Sequence, residues 1–517
     1  MFKYFIKGIS ILSLCAVMSA CSQSSSTTTL LSTEMSTLIP TLTKTPHPTL
    51  TPTITITPYS TLSTQRPHWL IRQSEQVVVE YDAEGLGRKI IELPYDGYIP
   101  FYPGLDSLVS PDGKWLAFYT GNLSYGNLDT QETLPVTLNL LNISNGKVIK
   151  ITDIVTDGYT EQLGKLVDEL IQLYPDDYKS TDSRDWVFSS VSGAFAESIH
   201  AMRWSPDGHD LAFAAQIDGV SSDVYLYSLD TGSIKRIESS ILNVATINWS
   251  PDGQYIIYRN FKPNFEYLLY AAQPSGYVDN PKELYSADWL HTGPWLSTNH
   301  LLIADGTDTP YIVNMQSLDI RTGQLRPLWA DAVDDYAIDS LNKTILLNTG
   351  ELAEPETFGV YIIKYNGQKA KVLDGLYSAT LFFRGGKQHR FLMQGFSHTS
   401  TNPTLSLTGD IVGFDMQGSP VSIVGKYDYD KITISPDKAW LLTYDENNLY
   451  LYDADDILVQ TFPANGVYKV IWRTDSQAIF FLDGQAIYFL SIPYGRPRLV
   501  DECKEDSCLM MDNTWLP

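Results

Sequence analysis

Carboxylates crowd together at three places: Asp331-Ala-Val-Asp334-Asp335, Asp428-Tyr-Asp430 and Asp453-Ala-Asp455-Asp456. Neighbouring acids can divide general acid and base work between them, or share a cation. None of the three runs has the glycine and distal glutamate of a calcium loop. Each therefore reads first as a solvated turn, with an incidental Ca²⁺ site as the sharper alternative. Glycoside hydrolysis in ring-shaped folds gathers acids from distant strands, so linear spacing does not test it. The 8 His are scattered without a His-Glu-x-x-His pair or zinc spacing. Glycine-rich phosphate loops are missing, and no cofactor is expected. Ser397 and His398 stand together in Gly395-Phe-Ser-His-Thr399, which lacks the second glycine of a nucleophile elbow and reads as a chance pair. Tyr98, Tyr102, Tyr125 and Tyr494 are expected at loop tips, where an aromatic ring can stack on sugar or peptide.

The elements that would carry such residues repeat. Trp204-Ser-Pro-Asp207-Gly208 precedes an apolar run, and the same words stand at Trp249-Ser-Pro-Asp252-Gly253, Val109-Ser-Pro-Asp112-Gly113 and Ile434-Ser-Pro-Asp437-Lys438. Aligned turn positions from Ser205 are Ser250, Ser297, Ser340, Arg384, Ser435 and Arg473, spaced 45, 47, 43, 44, 51 and 38 residues apart. The copies at Ser297, Ser340 and Arg384 are eroded, and the last keeps Trp472 and Asp475. Proline presets φ for a turn, aspartate bonds backbone N–H groups two residues on, and glycine accepts positive φ. The polar cluster is thus structural: Asp112, Gly113, Asp207, Gly208, Asp252, Gly253, Asp437 and Asp475 mark strand–turn–strand units. A period near 45 residues with four short strands per unit predicts an all-β chain forming a single β-propeller. Eight turn-bearing units and an N-terminal three-strand piece (Trp69–Leu93) are visible, and Leu509–Leu516 is placed to complete that piece. Eight blades are expected, with seven and nine as the alternatives. One stretch, 155–198, interrupts the rhythm: Leu163, Leu166, Val167, Leu170, Ile171 and Tyr174 fall at helical spacing before Pro175.

Residues 1–20 have the make-up of an export signal: Lys3 and Lys7, then an apolar Ile9–Val17 too short to span a bilayer comfortably. Val17-Met-Ser-Ala-Cys21 resembles the lipobox of bacterial lipoproteins, which implies cleavage before Cys21, lipid on that residue and an extracytoplasmic place in a bacterial cell envelope. Residues 21–67 are rich in Ser, Thr and Pro, have no amphipathic period and read as a disordered tether. The domain is then 68–517. Cys503 and Cys508 remain near the C-terminus. Outside the cytoplasm this pair reads as a disulfide closing a short loop, since a metal site needs further ligands. The formal charge of −24 argues against a nucleic-acid partner.

Trp204-Ser-Pro-Asp-Gly208 followed by an apolar strand resembles the repeat of TolB-type propellers, which also occurs in prolyl-oligopeptidase-like enzymes. The resemblance covers about residues 68–500 and implies fold rather than function. The α/β domain that precedes the TolB propeller has no counterpart in the tether text. The α/β-hydrolase half of the oligopeptidases has no counterpart in the 17 residues 501–517, and no Gly-x-Ser-x-Gly occurs. The expectation is a lipid-anchored binding or scaffold propeller for protein or glycan. The alternative is an enzyme acting on extracellular glycan or peptide through channel carboxylates.

Overall fold

A computed structural model describes residues 68–94, 96–100, 104–121, 136–155, 201–217, 222–237, 243–261, 267–274, 282–306, 312–385, 390–399, 408–426, 431–445, 447–464, 466–483, 486–502 and 512–516, with single positions between 164 and 184. Cys21, Cys503, Cys508, Asp428 and Asp430 lie outside these, as do Tyr102, Tyr125 and the whole of 1–67.

The described chain is almost entirely antiparallel sheet. Blade I pairs β1 (His68–Arg72), β2 (Val77–Asp82) and β3 (Lys89–Glu92) with the C-terminal β35 (Asp512–Leu516), in the order β3-β2-β1-β35. Blade II holds β4 (Gly97–Tyr98), β5 (Trp115–Thr120), β6 (Val136–Asn142) and β7 (Val148–Val155), with the one-turn helix α1 (Leu105–Leu108) between β4 and β5. Blade III is β8 (Met202–Trp204), β9 (Asp210–Ala215), β10 (Asp223–Ser228) and β11 (Ile234–Arg236). Blade IV is β12 (Asn243–Trp249), β13 (Ile256–Phe261), β14 (Tyr267–Ala272) and β15 (Lys282–Ala287). Next comes a seven-stranded sheet: β16 (Trp289–Ser297), β17 (His300–Gly306), β18 (Ile312–Asp319), β19 (Gln324–Asp339), β20 (Thr344–Thr349), β21 (Gly359–Lys364) and β22 (Lys369–Asp374). Three more four-stranded sheets follow: β23 to β26 (Leu376–Arg384, Arg390–Thr399, Thr408–Asp415, Pro420–Lys426), β27 to β30 (Ile432–Ile434, Leu441–Tyr444, Asn448–Tyr452, Leu458–Pro463) and β31 to β34 (Val467–Trp472, Ala478–Asp483, Ala486–Ser491, Arg498–Glu502).

Among the described residues the sheets number eight, yet the blades number nine. Strand β19 pairs with β18 from Gln324 to Val333 and with β20 from Val333 to Asp339. Its first part is thus the outer strand of blade V and its second part the inner strand of blade VI. At the two flanking junctions the link is a single residue, Asp288 between β15 and β16 and Gly375 between β22 and β23. The remaining sheets are blades VII, VIII and IX. The expected eight is corrected to nine because the eroded Ser297 and Ser340 units are both complete blades.

Alternation along each strand explains the ring. Ile256 and Tyr258 pack toward blade III, while Ile257 between them packs toward blade V. Phe480 faces blade I and Phe481 faces blade VIII. A sheet apolar on both faces cannot bury both alone, so each blade needs two neighbours. Apolar clusters join every successive pair, and blade I packs on II through Leu70 and Val78 and on IX through Trp69 and Ile71. The ring is closed within blade I, where Trp69 pairs with Trp515. The helix expected near 160–174 is borne out where it is described: residues 164, 165, 167, 168, 171 and 172 are helical, and Val167 is buried.

Candidate functional site at the loop rim of blades VI and VII

In an up-and-down blade the first–second and third–fourth turns share one end, and the other connections share the opposite end. These two rims differ in kind. On the turn rim, Ser205 Oγ donates to Asp207 Oδ1 at 2.6 Å and accepts from Asp210 N at 3.0 Å, and Asp207 accepts from His209 N at 3.1 Å. The Ser110, Ser250 and Ser435 copies repeat this to within about 0.1 Å. Gly113, Gly208 and Gly253 sit at φ of 69, 74 and 68°, and Lys438 and Ser476 hold the same conformation without glycine. Each turn leans on the one before it: a Cβ on Gly208 would lie 3.3 Å from Pro111 Cδ, and Trp204 and Trp249 donate their indole N–H to Leu108 O and Arg203 O, both at 3.0 Å. Every side-chain function of the motif is consumed by the scaffold.

Arginine at the serine position makes a longer link. Arg473 donates to Asp475 at 2.7 Å and to Ala83 O of the next blade at 2.7 Å. Arg384, wholly buried, donates to Lys438 O at 3.1 Å and to Asp456 Oδ1 at 3.1 and 3.2 Å. Asp456 also takes Arg390 at 3.1 Å and Ser422 Oγ at 2.6 Å, and has no exposed side-chain surface. The expectation of solvated turn acids therefore fails at Asp456, which is the centre of a buried ion cluster. It holds at Asp453, which accepts from Asp455 N and Ile457 N, both at 2.9 Å, in an exposed hairpin.

At the loop rim β5 and β7 end and β6 and β8 begin, and the described connection 350–358 of blade VI lies there. It is also the rim at which β19 enters blade VI, and so where Asp331, Asp334 and Asp335 stand. These three are strand residues, not the turn acids expected. Asp331 ties down the 350–358 loop, accepting from Glu354 N at 3.2 Å and from Thr357 Oγ1. Asp334 accepts from Ala379 N at 3.4 Å and from Asn348 Nδ2 at 3.2 Å. Asp335 accepts from Leu381 N at 2.7 Å. Ala379 and Leu381 belong to β23, the innermost strand of blade VII, whose other edge pairs with β24. The two carboxylates thus cap the open edge of the neighbouring blade.

Asn348 lies directly opposite Asp335 in the β19–β20 ladder. Its amide nitrogen donates to Asp334 and, at 2.7 Å, to Tyr377 O, while its Oδ1 is buried with no hydrogen-bond partner. Burial pushes the Asp335 carboxyl up to about 6; the N–H groups of Leu381 and Tyr336 oppose this, and the Asp334 charge adds to it. Asp334 is exposed and Asp335 half-buried, so these two carboxylates are reachable from the rim, whereas Asn348 is wholly buried beneath them. Among the described residues no group of three or more His, Cys, Asp or Glu is arranged to hold a metal ion.

Other sites raised by the sequence fall away from this place. Ser397 and His398 lie inside strand β24, not on a strand-to-helix elbow. Tyr98 is a strand residue half-buried against Tyr119, with ring centroids 5.7 Å apart, rather than a loop tip. Tyr494 is 80% exposed, but in a third–fourth hairpin on the turn rim. Spacing could not have singled out Asn348, an apparently ordinary residue in an apolar strand.

Fold and site together define a nine-bladed propeller with one structural rim and one variable, acceptor-bearing rim. No family model matches the chain. It is 30% identical over 84 residues to the "Uncharacterized peptidase YuxL" of Bacillus subtilis (strain 168), covering 15% of this chain and 13% of that protein. It is 24% identical over 164 residues to the "Dipeptidyl-peptidase 5" of Porphyromonas gingivalis, covering 29% and 23%. The chain therefore matches less than a quarter of the length of either relative. A crystal structure of the eukaryotic initiation factor aligns over 88% of this chain and 99% of its own, at 13% identity and a TM-score of 0.49. A functionally unknown protein from Desulfotomaculum acetoxidans DSM 771 aligns over 55% and 93%, at 12% identity and a TM-score of 0.32.

Proposed function

We propose that the chain is a lipid-anchored, extracytoplasmic propeller of the TolB type that binds a protein or glycan through its loop rim. The carrying observation is the contrast between the rims. The turn rim uses its polar groups to hold blade to blade, while the loop rim carries the exposed Asp334 and the half-buried Asp335. The first described strand, β1, starts from the turn rim, so the chain enters the ring on the side opposite the proposed binding face. Two experiments test the two parts. Cys21→Ala should shift the protein from the membrane fraction to the soluble one, and its persistence in the membrane would count against the anchor. Surface cross-linking of intact cells should recover a discrete partner that is lost when Asp334 and Asp335 are both replaced by Asn. Recovery unaffected by that change would move the binding face elsewhere.

A second reading is hydrolysis of extracellular glycan or peptide by the same two acids. It is favoured by the raised carboxyl of Asp335 beside Asp334, an arrangement that can keep one acid protonated near neutrality. The names of the two partial relatives add support for peptide. Turnover of a peptide or glycan library that vanishes in Asp335→Asn would establish it; absence of turnover at any pH between about 4 and 8 would remove it.

A further inference from the structure

We propose that the edge of the turn rim formed by blades I and IX is a membrane-resting surface, seated on the phospholipid bilayer that anchors the chain. The inference rests on the lipid-anchored reading above and adds how the ring meets that bilayer. The β2–β3 hairpin of blade I carries Leu86 at 52% exposure. The β33–β34 hairpin of blade IX carries Tyr494 at 80%, and Leu499, the second residue of β34, is 48% exposed. The two hairpins are joined: Arg498 donates to Glu84 O, and a Cβ on Gly85 would lie 2.8 Å from the Phe489 ring. The three apolar side chains therefore stand on one stretch of rim. Clustered exposed apolar groups mark a protein or membrane contact, and two observations favour the membrane. The first is where the preceding chain arrives. His68, where it joins the ring, pairs directly across from Asp82, the last residue before the Leu86 hairpin. The second is charge. Residues 83–88 and 492–498 hold Arg88, Arg496 and Arg498 against one acid, Glu84, in a chain of net charge −24. Acids farther away repel an anionic surface only within a Debye length, about 8 Å at physiological salt, so the charge at the contact decides. Tyrosine and leucine flanked by arginine suit a bilayer interface: the ring sits at headgroup level, the aliphatic tips enter the acyl boundary, and guanidinium groups meet phosphate. Seated this way, the molecule turns its loop rim away from the membrane.

The test uses the full chain carrying Cys21→Ala, which removes the lipid site and leaves the hairpins intact. It is co-sedimented with vesicles of phosphatidylcholine and phosphatidylglycerol in equal parts, and with vesicles of phosphatidylcholine alone. Binding is expected to both, and more strongly to the mixed vesicles. Replacing Leu86 and Tyr494 together by Ser should weaken it at least about tenfold, as expected when two apolar side chains are lost from an interface. Arg496→Ser should narrow the preference for the mixed vesicles. Leu352→Ser, the equivalent loss from the loop-rim connection of blade VI, should change nothing. Thermal unfolding run alongside should be the same for all of these, since every substituted side chain is exposed. Binding unchanged in the double variant, or reduced equally by Leu352→Ser, would overturn the assignment. So would a vesicle-free dimer that the double variant dissociates in sedimentation velocity, because the patch would then belong to a second copy of the chain. If Cys21→Ala leaves the membrane fraction of cells yet binds no vesicle, the anchor stands and only the resting surface is wrong. If vesicle binding depends on the hairpins while Cys21→Ala fractionates like wild type, the surface stands and the anchor is wrong.

Discussion

At the scale of single residues, two aspartates that look alike in sequence have different surroundings. Asp335 is a carboxyl whose burial raises it to about 6, so the folded state binds its proton more tightly than the unfolded chain does. Its contribution to stability is full below the unfolded value near 4 and is lost as pH rises through about 6. Asp335→Asn should therefore raise the melting temperature relative to wild type at pH 7, with the gap closing toward pH 4. A gap that does not change with pH would show that the carboxyl is not held up by burial. Asp456 differs in its neighbours: its side chain is wholly buried between the guanidinium groups of Arg384 and Arg390. Asp456→Ala strands two guanidinium groups and should cost about 3–5 kcal/mol in denaturant unfolding. Glycine at 413 belongs to this cluster, since a Cβ there would collide with Ser422 Oγ. None of this was legible in sequence: Asp456 and Asp453 sit in one run of acids, and only the neighbouring blade decides which is buried. Arg384 gave a signal that could have been followed, because arginine stands there at a position otherwise held by serine.

At the scale of elements, the turn is the most legible feature of the chain, because its bonds are local. Ser, Pro, Asp and Gly satisfy one another within six residues, so the strand–turn–strand unit follows from composition and spacing alone. Two glycines separate the backbone from the packing part of its cost. Gly208 and Gly232 both have positive φ, 74 and 66°, but a Cβ at 232 meets nothing within 4 Å while one at 208 meets Pro111 at 3.3 Å. Gly232→Ala should cost about 1–2 kcal/mol, the price of the left-handed backbone for an L-residue. Gly208→Ala should cost more, by the displacement of the neighbouring turn, and equal losses in thermal unfolding would show that the turns do not lean on one another. What sequence could not show is the junction in β19. A strand that changes partners at Val333 looks like one long irregular segment, and the eroded turns on either side hid two complete blades.

For the whole molecule, nine blades and a closure within blade I make the C-terminal strand part of the first sheet. Limited proteolysis should release residues 512–516 only with global unfolding; early release with the remainder intact would contradict the closure. The division of labour between rims is the feature on which function turns, and blade VI supplies its own control. Leu352 lies in the loop-rim connection of that blade and is 56% exposed, while Leu341 lies in its turn-rim connection and is 89% exposed. Both are apolar, both are accessible, and they belong to the same sheet at opposite ends. A photo-crosslinking residue placed at each position in intact cells measures which rim meets a partner. Binding through the loop rim predicts a discrete adduct from position 352 and none from position 341. An adduct from 341 alone, or equal adducts from both, would contradict it.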